Sequence, residues 1–133
     1  MDSSVPLGNV LKGEVTPPCS KSYAQRALAA ALLAEGRTTL RGIEMCRDTQ
    51  AAIECIEALG AHVNVIDDDT LTIDGGFAPC ADELHAGESG LAARLFTPIA
   101  ALHDKPITVS GEGTLAHRPM SMIAPPLRAL GVE

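Results

Sequence analysis

Ser20-Lys21-Ser22-Tyr23-Ala24-Gln25-Arg26-Ala27-Leu28-Ala29-Ala30-Ala31-Leu32-Leu33-Ala34 is the stretch that decides how this chain folds. Pro17-Pro18 stops the segment before it, because proline fixes φ and has no amide hydrogen. Ser20 is a favourable N-cap, so a helix is predicted from there to about Ala34, closed by Glu35-Gly36. After Arg26 that helix is apolar on every face. Such a helix is expected to be buried all round rather than laid on a surface.

Working outward, Leu7 to Val15 alternates loosely around Gly8 and Gly13 and reads as a short strand. Thr38 to Arg41 is a second strand, ending at Gly42. Asp48 is the expected cap of a helix over Thr49 to Leu59, with Ala52, Ile53, Ile56 and Leu59 on one face and Gly60 at its C′ position. His62 to Ile66 and Thr70 to Ile73 flank Asp67-Asp68-Asp69 and read as a hairpin with a polar tip. The Asp run lacks the spaced ligands of a calcium loop. An apolar helix over Glu88 to Leu102, a strand over Ile107 to Ser110 and a helix over Met120 to Leu130, closed by Gly131, complete the series. The class is α+β (mixed α/β).

The second half repeats the grammar of the first. Arg26 and Arg94 are 68 positions apart, Gly42 and Gly111 69, and Gly60 and Gly131 71. The last two glycines each end an Ala-Leu-Gly stretch. Markers in one order at one offset predict an internal duplication of about 70 residues. The first unit has a hairpin after Gly60, whereas only Val132 and Glu133 follow Gly131. The chain is therefore expected to be a piece of something longer. The boundaries are a leading strand in 1–19, a first unit in 20–86, and a second unit in 87–133, truncated before its last hairpin.

Composition limits what the chain can do. Of its 133 residues 2% are aromatic (Tyr23, Phe77, Phe96), so the core must be built from Ala, Leu, Ile and Val. A stacking platform for single-stranded nucleic acid needs several exposed rings and is excluded. Ten Lys and Arg stand against 17 Asp and Glu, and the net charge of −7 opposes bulk nucleic-acid binding. The longest apolar run, Ala27 to Ala34, falls far short of the roughly 20 residues that span a bilayer. No membrane partner and no secretory leader are expected. Cys19, Cys46, Cys55 and Cys80 form no CxxC pair and no zinc spacing with His62, His85, His103 or His117. They read as free thiols of a cytoplasmic protein, with no metal site.

Three stretches can still gather bases around a small anion. Pro18 to Arg26 joins a helix N-terminus to the hydroxyls of Ser20 and Ser22, the ammonium of Lys21 and the guanidinium of Arg26. The bland reading is a capped helix with two solvated bases. Against it, Arg26 leads into a helix expected to be fully buried, where an unpaired Arg is costly. Gly87-Glu88-Ser89-Gly90-Leu91-Ala92-Ala93-Arg94 places two glycines at a helix start, where a ligand can approach backbone; an ordinary capped loop is equally open. Gly111 to Pro119 puts Arg118 just before a helix expected to begin at Pro119, or else leaves it a surface Arg. Together these turns can place Lys21, Arg26 and Arg118 around one anionic ligand.

At these residues the chain resembles the enolpyruvyl transferases. Pro18-x-Ser20-Lys21-Ser22-x-x-x-Arg26-Ala27 is similar to that family's PGSKSxxxRA segment, Gly87-x-x-Gly90-x-x-x-Arg94 to its GNxGTxxR segment, and Arg118-Pro119-Met120 with Leu127-Arg128-Ala129-Leu130-Gly131 to its RPM…LxxLGA segment. The likeness runs from about Leu7 to the end and matches about the first third of a family enzyme. Cys19, Glu88 and Leu91 stand where Gly, Asn and Thr are usual.

The resemblance implies repeated βαβαββ units of an α-β prism, helices inside and sheets outside, with the 1–19 strand belonging to the enzyme's other domain. It also implies transfer of the enolpyruvyl group of phosphoenolpyruvate to the 5-hydroxyl of shikimate 3-phosphate, a step of the shikimate pathway, without metal or organic cofactor. Lys21, Ser22 and Arg26 match residues that bind shikimate 3-phosphate; Lys21, Gly90 and Arg118 match residues that bind phosphoenolpyruvate. The acid/base residues are expected beyond Glu133, in the remainder of the parent enzyme, so the isolated chain is expected to be inactive. The UDP-N-acetylglucosamine branch of the same family and a non-catalytic anion-binding module are the alternatives.

Overall fold

The structure is a computed structural model that describes Gly8 and residues 12–132. Its order is α1 (Lys21–Leu33), β1 (Gly36–Arg41), α2 (Arg47–Ala58), β2 (His62–Val65), β3 (Thr70–Gly75), β4 (Glu83–His85), α3 (Gly90–Ala100), β5 (Thr108–Ser110) and α4 (Ala124–Ala129), with 3-10 turns at Gly113–His117 and Ser121–Ile123. It is a mixture of helix and sheet, as expected. Of the strand expected over Leu7 to Val15, residues 7 and 9–11 lie outside the described residues, and 12–15 is neither helix nor strand.

β3 is the centre of an antiparallel sheet of order β1-β3-β2. The hairpin forms as predicted, with Val63 opposite Ile73 and Val65 opposite Leu71. At its tip, Asp67 accepts the Asp69 amide at 3.1 Å, which makes the acidic run a turn. One face of β3 buries Leu71 and Ile73 in a core that they share with Leu28 and Leu32 of α1 and Ile56 of α2. β4 and β5 pair in parallel, Leu84 opposite Val109.

The helix ends follow local chemistry. Ser20 and Ser89 cap α1 and α3, their Oγ atoms accepting the amides of Tyr23 at 3.4 Å and Ala92 at 3.1 Å. Both Ala-Leu-Gly stretches close in one way. Gly60 donates to Glu57 O and Ala61 to Ile56 O, while Gly131 donates to Arg128 O and Val132 to Leu127 O. This is the Schellman pattern, with glycine at the position needing positive φ, +108° at Gly60 and +87° at Gly131.

Three expectations are corrected. First, α1 is not buried all round: Tyr23 is 78% exposed, Leu33 49%, and Arg26 and Ala30 lie on the same open face. An alanine-rich helix shows little contrast between faces, so composition did not mark the open side. Second, α2 starts at Arg47 with Cys46 as its cap, and Asp48 lies in the first turn, where a carboxylate favours the helix dipole. The buried Thr49 hydroxyl donates to Glu44 O at 3.0 Å and ties down the entering loop. Third, the last α-helix begins at Ala124, not Pro119. A helix from Met120 would need amide hydrogens that Pro125 and Pro126 lack; in the first turn they are not needed.

β3 meets α1 at Gly75, where an added Cβ would collide with the carbonyl oxygens of Ala31 and Ala34. We expect Gly75→Ala to cost about 3 kcal/mol, read as a lower urea midpoint at unchanged slope. Gly13→Ala, in open space, should leave the midpoint in place. Equal midpoints for the two variants would contradict this account.

Candidate functional site

The first basic segment opens α1. Lys21 is half-exposed, its Nζ 3.8 Å from Asp48 Oδ2 on the neighbouring α2. Ser22 is exposed. Arg26 is also exposed, and its Nη1 donates to Ser22 O at 2.9 Å. The burial cost that was expected to demand a partner for Arg26 therefore does not arise. What remains is a cation held back along its own helix toward the N-terminus that carries Lys21 and Ser22.

The second and third segments meet. Gly90, buried, is the first residue of α3, and a Cβ there would lie 3.0 Å from Arg94 Nη1 and 3.1 Å from Arg118 Nη1. Two guanidinium groups thus converge on one missing side chain. Arg94 Nη1 donates to Gly90 O at 3.0 Å, and Arg118 Nη2 to Thr114 Oγ1 at 3.2 Å. The ion pairs among the described residues are Lys21–Asp48, Arg37–Asp74 and His103–Asp104, so neither arginine of this pair has a carboxylate partner there. Two like charges this close repel, and an anion between them would turn the repulsion into attraction.

Arg118 reaches this place differently from the expectation. It ends the 3-10 turn Gly113–His117 and stands at no α-helix start. The turn is docked on the loop before α3. The Glu112 amide donates to Gly87 O at 2.9 Å, and Gly113, with φ +55°, lies where a Cβ would strike the exposed Glu88 side chain. Arg94 was not among the sequence-predicted site residues. The signal was available: Gly90 and Arg94 are one helical turn apart on one face, and Arg94 is the repeat partner of Arg26. Among the described residues, no side-chain hydrogen bond or ion pair directly joins Lys21, Ser22 or Arg26 to Gly90 or Arg118.

A large open groove of about 1140 Å³ runs between α3 and α4 and touches this cluster at Arg118. Ala93, Ile107, Val109, Leu115, Met120 and Leu127 give it an apolar wall, and Lys105, Arg118 and Arg128 stand with Asp104 among its charged lining. Among the described residues no group of three or more His, Cys, Asp or Glu could hold a metal ion.

The model for EPSP synthase (3-phosphoshikimate 1-carboxyvinyltransferase) matches residues 6–133. The chain belongs to the EPSP synthase family. Its relatives include the 3-phosphoshikimate 1-carboxyvinyltransferase of Gloeothece citriformis, 32% identical over 95% of this chain and 29% of the relative. That of Methanothermobacter thermautotrophicus is 36% identical over all of this chain and 32% of its own length. A solved EPSP synthase from Acinetobacter baumannii superposes with a TM-score of 0.75 at 29% identity, over 91% of this chain and 28% of that one. The chain thus spans about a third of the length of these EPSP synthases or slightly less.

The four cysteines are free, and they differ. Burial pushes the Cys55 thiol up to about 12. Burial acts the same way on Cys46, but hydrogen bonds from Thr49 and Asp48 and the charge of Lys21 outweigh it, and its thiol lies below the usual range. We expect iodoacetamide to label Cys46 well before Cys55, with a rate that rises with pH as the Cys46 thiolate forms and levels off below the pH of an ordinary thiol. Peptide mapping by mass spectrometry would read this, and equal labelling of the two would refute it.

Proposed function

We propose that the chain forms the N-terminal part of a 3-phosphoshikimate 1-carboxyvinyltransferase and carries part of both its substrate sites. The reaction moves the enolpyruvyl group of phosphoenolpyruvate to the 5-hydroxyl of shikimate 3-phosphate and releases phosphate. The observation that carries this reading is the pair Arg94 and Arg118, converging over Gly90 with no carboxylate partner among the described residues, in a chain of net charge −7.

In this reading Gly90, Arg94 and Arg118 hold phosphoenolpyruvate, whose carboxylate and phosphate suit planar guanidinium donors. Lys21, Ser22 and Arg26 hold shikimate 3-phosphate at the N-terminus of α1, and Lys21 serves both substrates. The Asp48 contact of Lys21, at 3.8 Å and open to water, is weak enough to be exchanged for a substrate anion. The contribution of these residues is electrostatic: they neutralise and orient two anions. Proton transfer belongs to residues beyond Glu133.

The architecture we propose is the α-β prism with βαβαββ units over 20–86 and 87–133, and 1–19 as a strand of the other domain. The matching Schellman ends after α2 and α4 support two equivalent units, and the parallel β4–β5 pair would be the seam between them. A cytoplasmic location accords with the free cysteines; among the described residues no helix is long and apolar enough to cross a membrane.

Phosphate release by the full-length protein tests this reading. Lys21→Met should lower kcat/KM by about 100-fold or more, and Arg94→Ala should weaken phosphoenolpyruvate binding by about 10- to 100-fold. The 133-residue chain alone should show no turnover. Full-length Lys21→Met with near-normal turnover would remove Lys21 from the site.

A further inference from the structure

We propose that Gln25 is a positioning residue: its hydrogen bond to Ser89 holds the α1 start, with Lys21, Ser22 and Arg26, in register with the α3 start, with Gly90 and Arg94. The inference rests on the functional reading above and adds how its two half-sites are kept in place. Gln25 is 2% exposed and Ser89 6%, and they are two of the three buried polar residues among those described. Ser89 Oγ donates to Gln25 Oε1 at 3.1 Å and accepts the Ala92 amide, also at 3.1 Å. One hydroxyl can do both, since it has one donor and two acceptor positions. The atom that starts α3 is thereby tied to the first turns of α1.

The rest of the linkage is backbone. Ser89 N donates to Ala86 O at 3.0 Å, and Glu112 N donates to Gly87 O at 2.9 Å, which fixes the turn carrying Arg118. The order of connection is therefore α1 start, Gln25–Ser89, α3 start, Gly87–Glu112, Arg118. Only the first of these links is made between two side chains. α1 and α3 also share apolar core residues, including Leu28 and Phe96, but apolar contact is non-directional and fixes register poorly. Two substrates held on different helices react only when their mutual position is kept, and an error of about 1 Å costs about 100-fold in rate.

The test uses the full-length enzyme, with kcat from phosphate release and the affinity for each substrate alone from calorimetry. Gln25→Met keeps the buried volume and the Ser89 cap but removes the acceptor. We expect kcat to fall about ten-fold while each separate affinity changes less than about two-fold, because each half-site is intact and only their relation is lost. Ser89→Ala, which also removes the α3 cap, should lose at least as much, the double variant no more than Ser89→Ala alone, and Ser89→Thr, which keeps the hydroxyl, should retain kcat. If Gln25→Met does not fold, Gln25→Leu decides, because it too removes only the acceptor and leaves the Ser89 cap of α3 in place. A lowered melting temperature with unchanged kcat, or additive losses in the double variant, would overturn the proposal. A wild-type enzyme without turnover would instead overturn the functional reading and this inference with it.

Discussion

Close approach through small residues is the constraint on which the rest of this molecule depends. With two Phe and no Trp in 133 residues, Phe96 is the one fully buried ring, and elsewhere the elements must come nearer to one another. Gly75 lets β3 lie against the carbonyls at the end of α1, and Gly60 lets the end of α2 lie against the backbone of Ala78. Ala24, Ala31, Ala52, Ala92 and Ala93 fill the spaces between helices. The same device builds the candidate site. Gly90 leaves room for two guanidinium groups at the start of α3, and any side chain there would push at least one of them away.

The charge pattern follows from that geometry. The chain is acidic overall, yet among the described residues no carboxylate pairs with Arg94 or Arg118. Asp74 is held by Arg37 through two bonds at 2.7 and 2.8 Å, and Asp67 is occupied with its own turn. The Arg37 guanidinium keeps the Asp74 carboxyl below its ordinary range, so that pair is charged at neutral pH and is lost only as pH falls through the lowered Asp74 value. Asp48, half-buried, is a weak partner for Lys21 at 3.8 Å. An anionic ligand therefore meets bases that are free or loosely held, in a surface that otherwise repels it.

Much of the fold was legible because it is local. Ser20 and Ser89 as caps, Gly60 and Gly131 as helix ends and the hairpin around Asp67 to Asp69 each depend on a few adjacent residues. The failures share a cause. Asp48 read as a cap because it is the better capping residue, but the tether from Thr49 to Glu44 moved the start of α2. Pro119 read as a helix start because the constraint that excludes it sits at Pro125 and Pro126. The exposure of Leu33 and Arg26 depends on what packs against α1, and nothing inside an alanine-rich helix encodes it.

By itself the sequence determined the mixed helix and strand content, the two helix starts that carry the bases, the repeat spacing and the resemblance carried by three motifs. These are properties of residue type and short-range order. Only the tertiary structure decided that Arg94 joins Arg118 over Gly90, that Arg118 comes from a 3-10 turn, and that Gln25 meets Ser89. Those contacts link residues 24 to 64 positions apart, and they exist because helices of small side chains pack closely enough for single polar groups to touch.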